Sequence, residues 1–86
     1  MTQSMNLLSK NQLRWACRRG MLELDLLLGD FFDHCFDELT YDEKLVFQHL
    51  LSESDQLLLG YFMGHEIPKD SEILNVVEKI RGTVAA

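Results

Sequence analysis

An all-α fold, a small single-domain bundle of about five short helices, follows from three observations on this sequence. Apolar residues recur at helical spacing along nearly the whole chain. There is one proline, Pro68, and no long alternating run of Val, Ile and Thr of the kind a strand needs. Two capping-box patterns, Ser9 with Gln12 and Thr40 with Glu43, each stand at the head of an apolar segment.

The first helix begins after Ser9 and runs to about Arg18, with Leu13, Trp15 and Ala16 as its apolar surface and Gly20 as its stop. A second spans about Met21 to Phe36, burying Leu24, Leu27, Leu28, Phe31, Phe32 and Cys35 and turning Asp25, Asp30, Asp33 and Asp37 outward. Its stripe is broad enough to be covered on more than one side, which places it centrally. Gly29 within it permits a close helix crossing, at about 1 kcal/mol of helix propensity. Thr40 opens a third helix with Leu45, Val46, Leu50 and Leu51 inward. The polar break Ser52 to Asp55 caps a fourth, Gln56 to Met63, closed by Gly64 in the left-handed conformation that suits glycine. After a connector holding Pro68, Asp70 or Ser71 caps a fifth helix, in which Ile73, Val76, Val77 and Ile80 face the core before Gly82 and a frayed tail. Residues 1–86 thus form one domain, with 1–8 and 83–86 as flexible tails.

A chain of 86 residues can organise one core and bury roughly 60% of its unfolded surface. With 47% apolar against 26% charged residues it lies well above the composition of disordered segments. Cys17 and Cys35 are too few for a disulfide framework and form no Cys-x-x-Cys pair, so both read as thiols in a reducing compartment. No signal-peptide pattern opens the chain, and no stretch approaches the ~20 apolar residues of a membrane span. A cytoplasmic address without membrane insertion is expected.

Charge is unevenly placed. Residues 1–20 carry Lys10, Arg14, Arg18 and Arg19 and no acid, whereas the rest carry all 14 acids with only Lys44, Lys69, Lys79 and Arg81. An acidic body with a small basic patch is poorly equipped to grip a phosphate backbone, which argues against nucleic acid and for a protein partner with an acidic rim.

Enzyme chemistry finds no footing. His34 and Glu38 are an i, i+4 pair without the further ligands a metal site requires. His65-Glu66 is not a metalloprotease motif, His49 reads as a boundary residue, and Gly-rich phosphate loops and nucleophile elbows are missing from the sequence. Acids such as Asp42 and Glu43 sit where a helix dipole favours them. No catalytic, metal or cofactor-binding residue is assigned.

What remains is a surface, concentrated in Trp15-Ala16-Cys17-Arg18-Arg19-Gly20-Met21-Leu22-Glu23-Leu24-Asp25. A purely local account fits the residue types: Arg18 and Arg19 complement the end of helix one, Gly20 caps it, and Glu23 sits in the first turn of helix two. That account leaves Trp15 and Met21 unexplained, and a large aromatic, a Met and Arg together are the composition of interface hot spots.

At these residues the chain resembles the SdhE family of FAD assembly factors, small five-helix proteins marked by an Arg-Gly-x-x-Glu signature, here Arg19-Gly20-Met21-Leu22-Glu23. The resemblance continues through Phe31-Phe32, Leu39 to Lys44, His49-Leu50-Leu51 and Phe62 to His65, from about Asn11 to Ile80. It implies a non-enzymatic chaperone, acting as a monomer in the bacterial cytoplasm, that binds the flavoprotein subunit of succinate dehydrogenase, and the related fumarate reductase subunit, and promotes covalent flavinylation. FAD would be bound by the client and not stably by this chain. The partner-binding residues it implies are Arg19, Gly20 and Glu23, flanked by Trp15, Arg18 and Met21. Gly20 would allow close backbone approach. The sequence departs from many bacterial relatives at Gln12, and at Gln56, Leu57 and Tyr61 about the start of helix four. The resemblance also carries an alternative, a regulatory module of the antitoxin type acting on a membrane or cytoskeletal partner through the acidic face of Asp30, Asp33 and Asp37.

Overall fold

The computed structural model describes residues 6–85; residues 1–5 of the tail expected at 1–8, and Ala86 of that expected at 83–86, lie outside them. Five α-helices follow in order: α1 (Lys10–Ala16), α2 (Leu22–Cys35), α3 (Tyr41–Leu50), α4 (Asp55–Met63) and α5 (Ser71–Ala85), with a 3-10 turn at Phe36–Glu38 extending α2. Helix α5 packs against α2, α3 and α4, and α2 packs against α4 and α5, so the bundle centres on α5 as much as on α2.

The helix starts follow their caps. Both capping boxes close reciprocally: Gln12 N–H donates to Ser9 Oγ at 3.2 Å while Ser9 N–H donates to Gln12 Oε1 at 3.1 Å, and Glu43 with Thr40 repeats the pattern at 3.1 and 3.0 Å. Ser54 caps α4, its hydroxyl accepting from the Leu57 N–H at 3.1 Å, with Gln56 and Leu57 in the first turn. At the head of α5, the Asp70 carboxylate accepts from the Glu72 N–H at 2.8 Å. Gly64 ends α4 at φ 81°, as expected.

Two expected ends are corrected. Helix α1 stops at Ala16, with Cys17 in right-handed conformation sharing its N–H between the Leu13 and Arg14 carbonyls; Gly20 lies beyond it and is not its left-handed cap. Helix α5 runs through Gly82 to Ala85, because Gly82 keeps a helical backbone and the Thr83 hydroxyl donates back to the Lys79 carbonyl at 3.1 Å.

The core draws on every helix: Leu13 and Cys17, then Leu24, Leu28, Phe31, Phe32 and Phe36, Phe47, Leu50 and Leu51, Leu58, and Val76, Val77 and Ile80. Phe47, absent from the expected inward set of α3, is fully buried, whereas Leu45 and Val46 are half-buried. It lies 5.5 Å from Phe31 and 5.7 Å from Phe36 by ring centroids, tying α3 to α2 and its 3-10 extension. Leu27 and Cys35 are also only half-buried. Gly29 does allow a close approach, but of a side chain: a Cβ there would stand 3.1 Å from the Arg14 guanidinium lying across it. Residues 6–8 run beside α3, where Gln48 accepts from the Leu8 N–H and donates to the Asn6 carbonyl.

Candidate partner-binding surface

Four residues join α1 to α2 after Cys17, and the fold of this link is set by Arg19. Its side chain is only 11% exposed and reaches across to the turn between α3 and α4. There the guanidinium donates to the Leu51 carbonyl, to the Glu53 carbonyl at 3.3 Å and to Asp55 Oδ1 at 3.2 Å. Leu51 is the C-terminal cap residue of α3 and Asp55 the first residue of α4, so one cation meets the carbonyl-rich end of one helix and the acid at the start of the next. Asp25, from the first turn of α2, accepts the Arg19 backbone N–H at 3.0 Å and is therefore half-buried and engaged, not turned outward as expected. Among the described residues Arg19 Nε is buried without a hydrogen-bond partner, which costs stability.

The basic N-terminal patch does not stand free. Each of its cations has an aspartate: Lys10 with Asp37 at 2.9 Å, Arg14 with Asp33 at 3.1 Å, Arg18 with Asp25 at 3.5 Å and Arg19 with Asp55. The expected match to an acidic rim on a partner is thereby weakened, since the positive charge is largely met within the chain. Pairs as exposed as Lys10 with Asp37 and Arg14 with Asp33 contribute little to stability, whereas Arg19 is largely buried. Lys10 holds the Asp37 carboxyl below the usual carboxylate range, chiefly by hydrogen bonding to it. The acidic face of Asp30, Asp33 and Asp37 is correspondingly reduced, two of its three members being paired.

Around the anchored link the expected residues divide. Gly20 is exposed, its φ is not left-handed, and a Cβ added to it would meet only Asp55 Oδ2, at an ordinary 3.9 Å. Among the described residues nothing requires a glycine there. Trp15 is 71% exposed, with the Arg18 guanidinium 5.5 Å from its ring centroid. Glu23 is exposed on the first turn of α2 and, among the described residues, makes no ion pair. Met21 is half-buried against the core. The structure thus brings Trp15, Arg18, Gly20 and Glu23 to the surface about one link and turns Arg19 inward beneath them.

Sequence reasoning missed three neighbours, Leu22, Leu26 and Asp55. Leu22 and Leu26 are 66% and 57% exposed. Their i, i+4 spacing off the buried Leu24–Leu28–Phe31 stripe was the available signal. An open groove of about 650 Å³ runs between α1 and α2 past Trp15, Arg18, Leu26 and Gly29. On the other side of α2 a smaller, apolar groove of about 370 Å³ is lined by Leu24, Leu27, Leu59, Phe62 and Met63, with Glu23 and Arg81 also lining it. The N-terminus of α2 carries Glu23 and Asp25 in its first turn, which repel a diphosphate where a dinucleotide site would need bare amides. Burial pushes the Cys17 thiol up to about 11, so it stays protonated and inert at neutral pH. Among the described residues, no cluster of three metal-ligating side chains occurs and no helix is long and apolar enough to cross a membrane.

Comparison with known proteins gives a consistent result. Residues 11–84 match the family described as "Flavinator of succinate dehydrogenase". A Shewanella oneidensis protein named FAD assembly factor SdhE is 43% identical over 81 residues, covering 94% of this chain and 99% of the relative. Proteins of the same name from Coxiella burnetii and Colwellia psychrerythraea are 45% and 47% identical, covering 86% and 90% of this chain and 90% and 87% of their own.

Proposed function

This chain belongs to the family of flavinators of succinate dehydrogenase, and we propose that it binds the flavoprotein subunit of succinate dehydrogenase and promotes covalent attachment of FAD to it. The fumarate reductase flavoprotein is a second client in this reading, and the protein works as a cytoplasmic monomer. The observation that carries the reading is Gly20, a glycine on an anchored link, exposed, and required by nothing among the described residues. The requirement then lies outside, in a partner whose backbone approaches closely. Trp15, Arg18 and Glu23 are the contacts around it, with Met21 packed beneath.

The chain supplies no reacting group. FAD is held by the client, and the acids at the head of α2 support the expectation that this chain binds none stably. Flavinylation then needs only a higher affinity for the client conformation competent for attachment than for the open one. A difference of about 1.4 kcal/mol raises that population ratio tenfold. The antitoxin-type alternative has less support, because Asp33 and Asp37 are already paired with Arg14 and Lys10.

Gel filtration of the chain with the FAD-loaded flavoprotein subunit tests the reading. Co-elution of the wild-type chain and loss of it with Gly20→Arg, at unchanged helicity, is expected; co-elution of both would remove the Gly20 link from the interface.

A further inference from the structure

We infer that Asp55, outside the signature and 36 residues from Arg19 in sequence, is a positioning residue of the client-binding surface, and that Arg19 serves the client only through it. The inference rests on the proposed function and assigns the signature's arginine a different task from its glycine and glutamate. Arg19 offers little free surface, its side chain being only 11% exposed. Its guanidinium meets the Leu51 and Glu53 carbonyls and the Asp55 carboxylate, and its backbone N–H is held by Asp25. Burying a charge this far contributes little net stability, and among the described residues Nε has no partner to offset its desolvation. What the arrangement does supply is position. Asp55 Oδ1 fixes the far end of Arg19, while its other oxygen, Oδ2, lies 3.9 Å from where a Gly20 Cβ would sit. One carboxylate therefore sets both the anchor and the floor of the link that carries Gly20. The Ser54 cap on α4 holds Asp55 in turn, through the first turn of that helix.

A direct contact and an indirect one give different mutant cycles. Affinity of the flavoprotein subunit is measured for Arg19→Ala, Asp55→Ala and the double variant, with Gly20→Arg as reference and amide exchange at residues 20–22 followed beside global melting. Each single variant is expected to weaken binding by about tenfold and the double by no more than either. Exchange at residues 20–22 is expected to rise while the helices keep their protection. Should Arg19→Ala fail to fold, Asp55→Asn, which keeps the shape and removes the charge, is expected to show the same loss of affinity and the same local exchange. Asp55→Ala or Asp55→Asn binding as wild type while Arg19→Ala does not, or losses that multiply in the double variant, would overturn the inference and return Arg19 to direct contact. If Gly20→Arg also binds as wild type, the interface itself is misplaced, a separate failure.

Discussion

Replacing Gly20 with alanine should raise the stability of this protein and lower its affinity for the client. Gly20 is outside the left-handed region, and the new methyl group would meet nothing closer than Asp55 Oδ2 at 3.9 Å. At such a position alanine costs the folded state nothing and restricts the unfolded chain, a gain of about 0.4–1 kcal/mol. For a domain of this size that is a rise of about 2–8 °C in Tm. In the proposed interface the same methyl group would stand where the client's backbone approaches, so binding should weaken as stability rises, and Gly20→Arg should abolish binding with melting unchanged. Gly64 is the internal control: at φ 81° alanine is strained, at a cost of about 1–2 kcal/mol. Thermal melts and titration of the flavoprotein subunit read both quantities on the same samples. Destabilisation by Gly20→Ala comparable to that of Gly64→Ala would refute the reasoning, since glycine would then be serving its own fold. Unchanged binding with raised stability would refute the placement of the interface.

Trp15 is the chain's one tryptophan and mostly exposed, so its emission should be that of a solvated indole, quenched by iodide and protected on client binding; Trp15→Ala should leave the melt near wild type and cost about 2 kcal/mol or more of affinity, measured by titration. The Glu43 carboxyl is held below its ordinary value, first by the Thr40 backbone N–H in the capping box and then by Asn75 of α5. A depressed folded value means stability that is present above the unfolded value and lost as pH falls through the folded one. Glu43→Gln should therefore flatten the stability profile below about pH 4.5, the usual value for this group, as followed by urea denaturation across pH. Cys17, buried and with its pKa raised to about 11, should resist a thiol reagent at pH 8 in the folded protein, whereas half-buried Cys35 reacts; quantitation should give one labelled thiol when folded and two in denaturant.

Local signals in this chain were strong where one residue type decides the outcome. Ser9, Thr40 and Gly64 set helix ends through a hydroxyl or a left-handed backbone, and each works as its type suggests. Gly20 and Gly82 look like the same signal and are not, because a glycine ends a helix only when the backbone turns left-handed, a choice made by tertiary packing. In α3 Leu50 and Leu51 are buried as expected, but Leu45 and Val46 are only half-buried and Phe47 takes the inward place, its burial depending on three other phenylalanines reaching it from α2 and its 3-10 extension.

The site was legible as a cluster and not as a geometry. Trp15, Arg18, Gly20 and Glu23 surface together because they sit within nine residues spanning the end of α1 and the start of α2. Arg19 is one of that run yet faces inward, drawn by partners at Leu51, Glu53 and Asp55 that only the fold brings near. The basic patch of residues 1–20 likewise vanished as a free charge, since its four aspartate partners lie in α2, its 3-10 extension and α4.

The most direct test of the account is in-gel flavin fluorescence of the succinate dehydrogenase flavoprotein subunit, denatured after expression with the wild-type chain, with Glu23→Ala, or with neither. Strong fluorescence only with the wild-type chain is predicted. Equal fluorescence in all three would contradict the assembly role, and equal fluorescence with the two chains but none without would contradict the part given to Glu23.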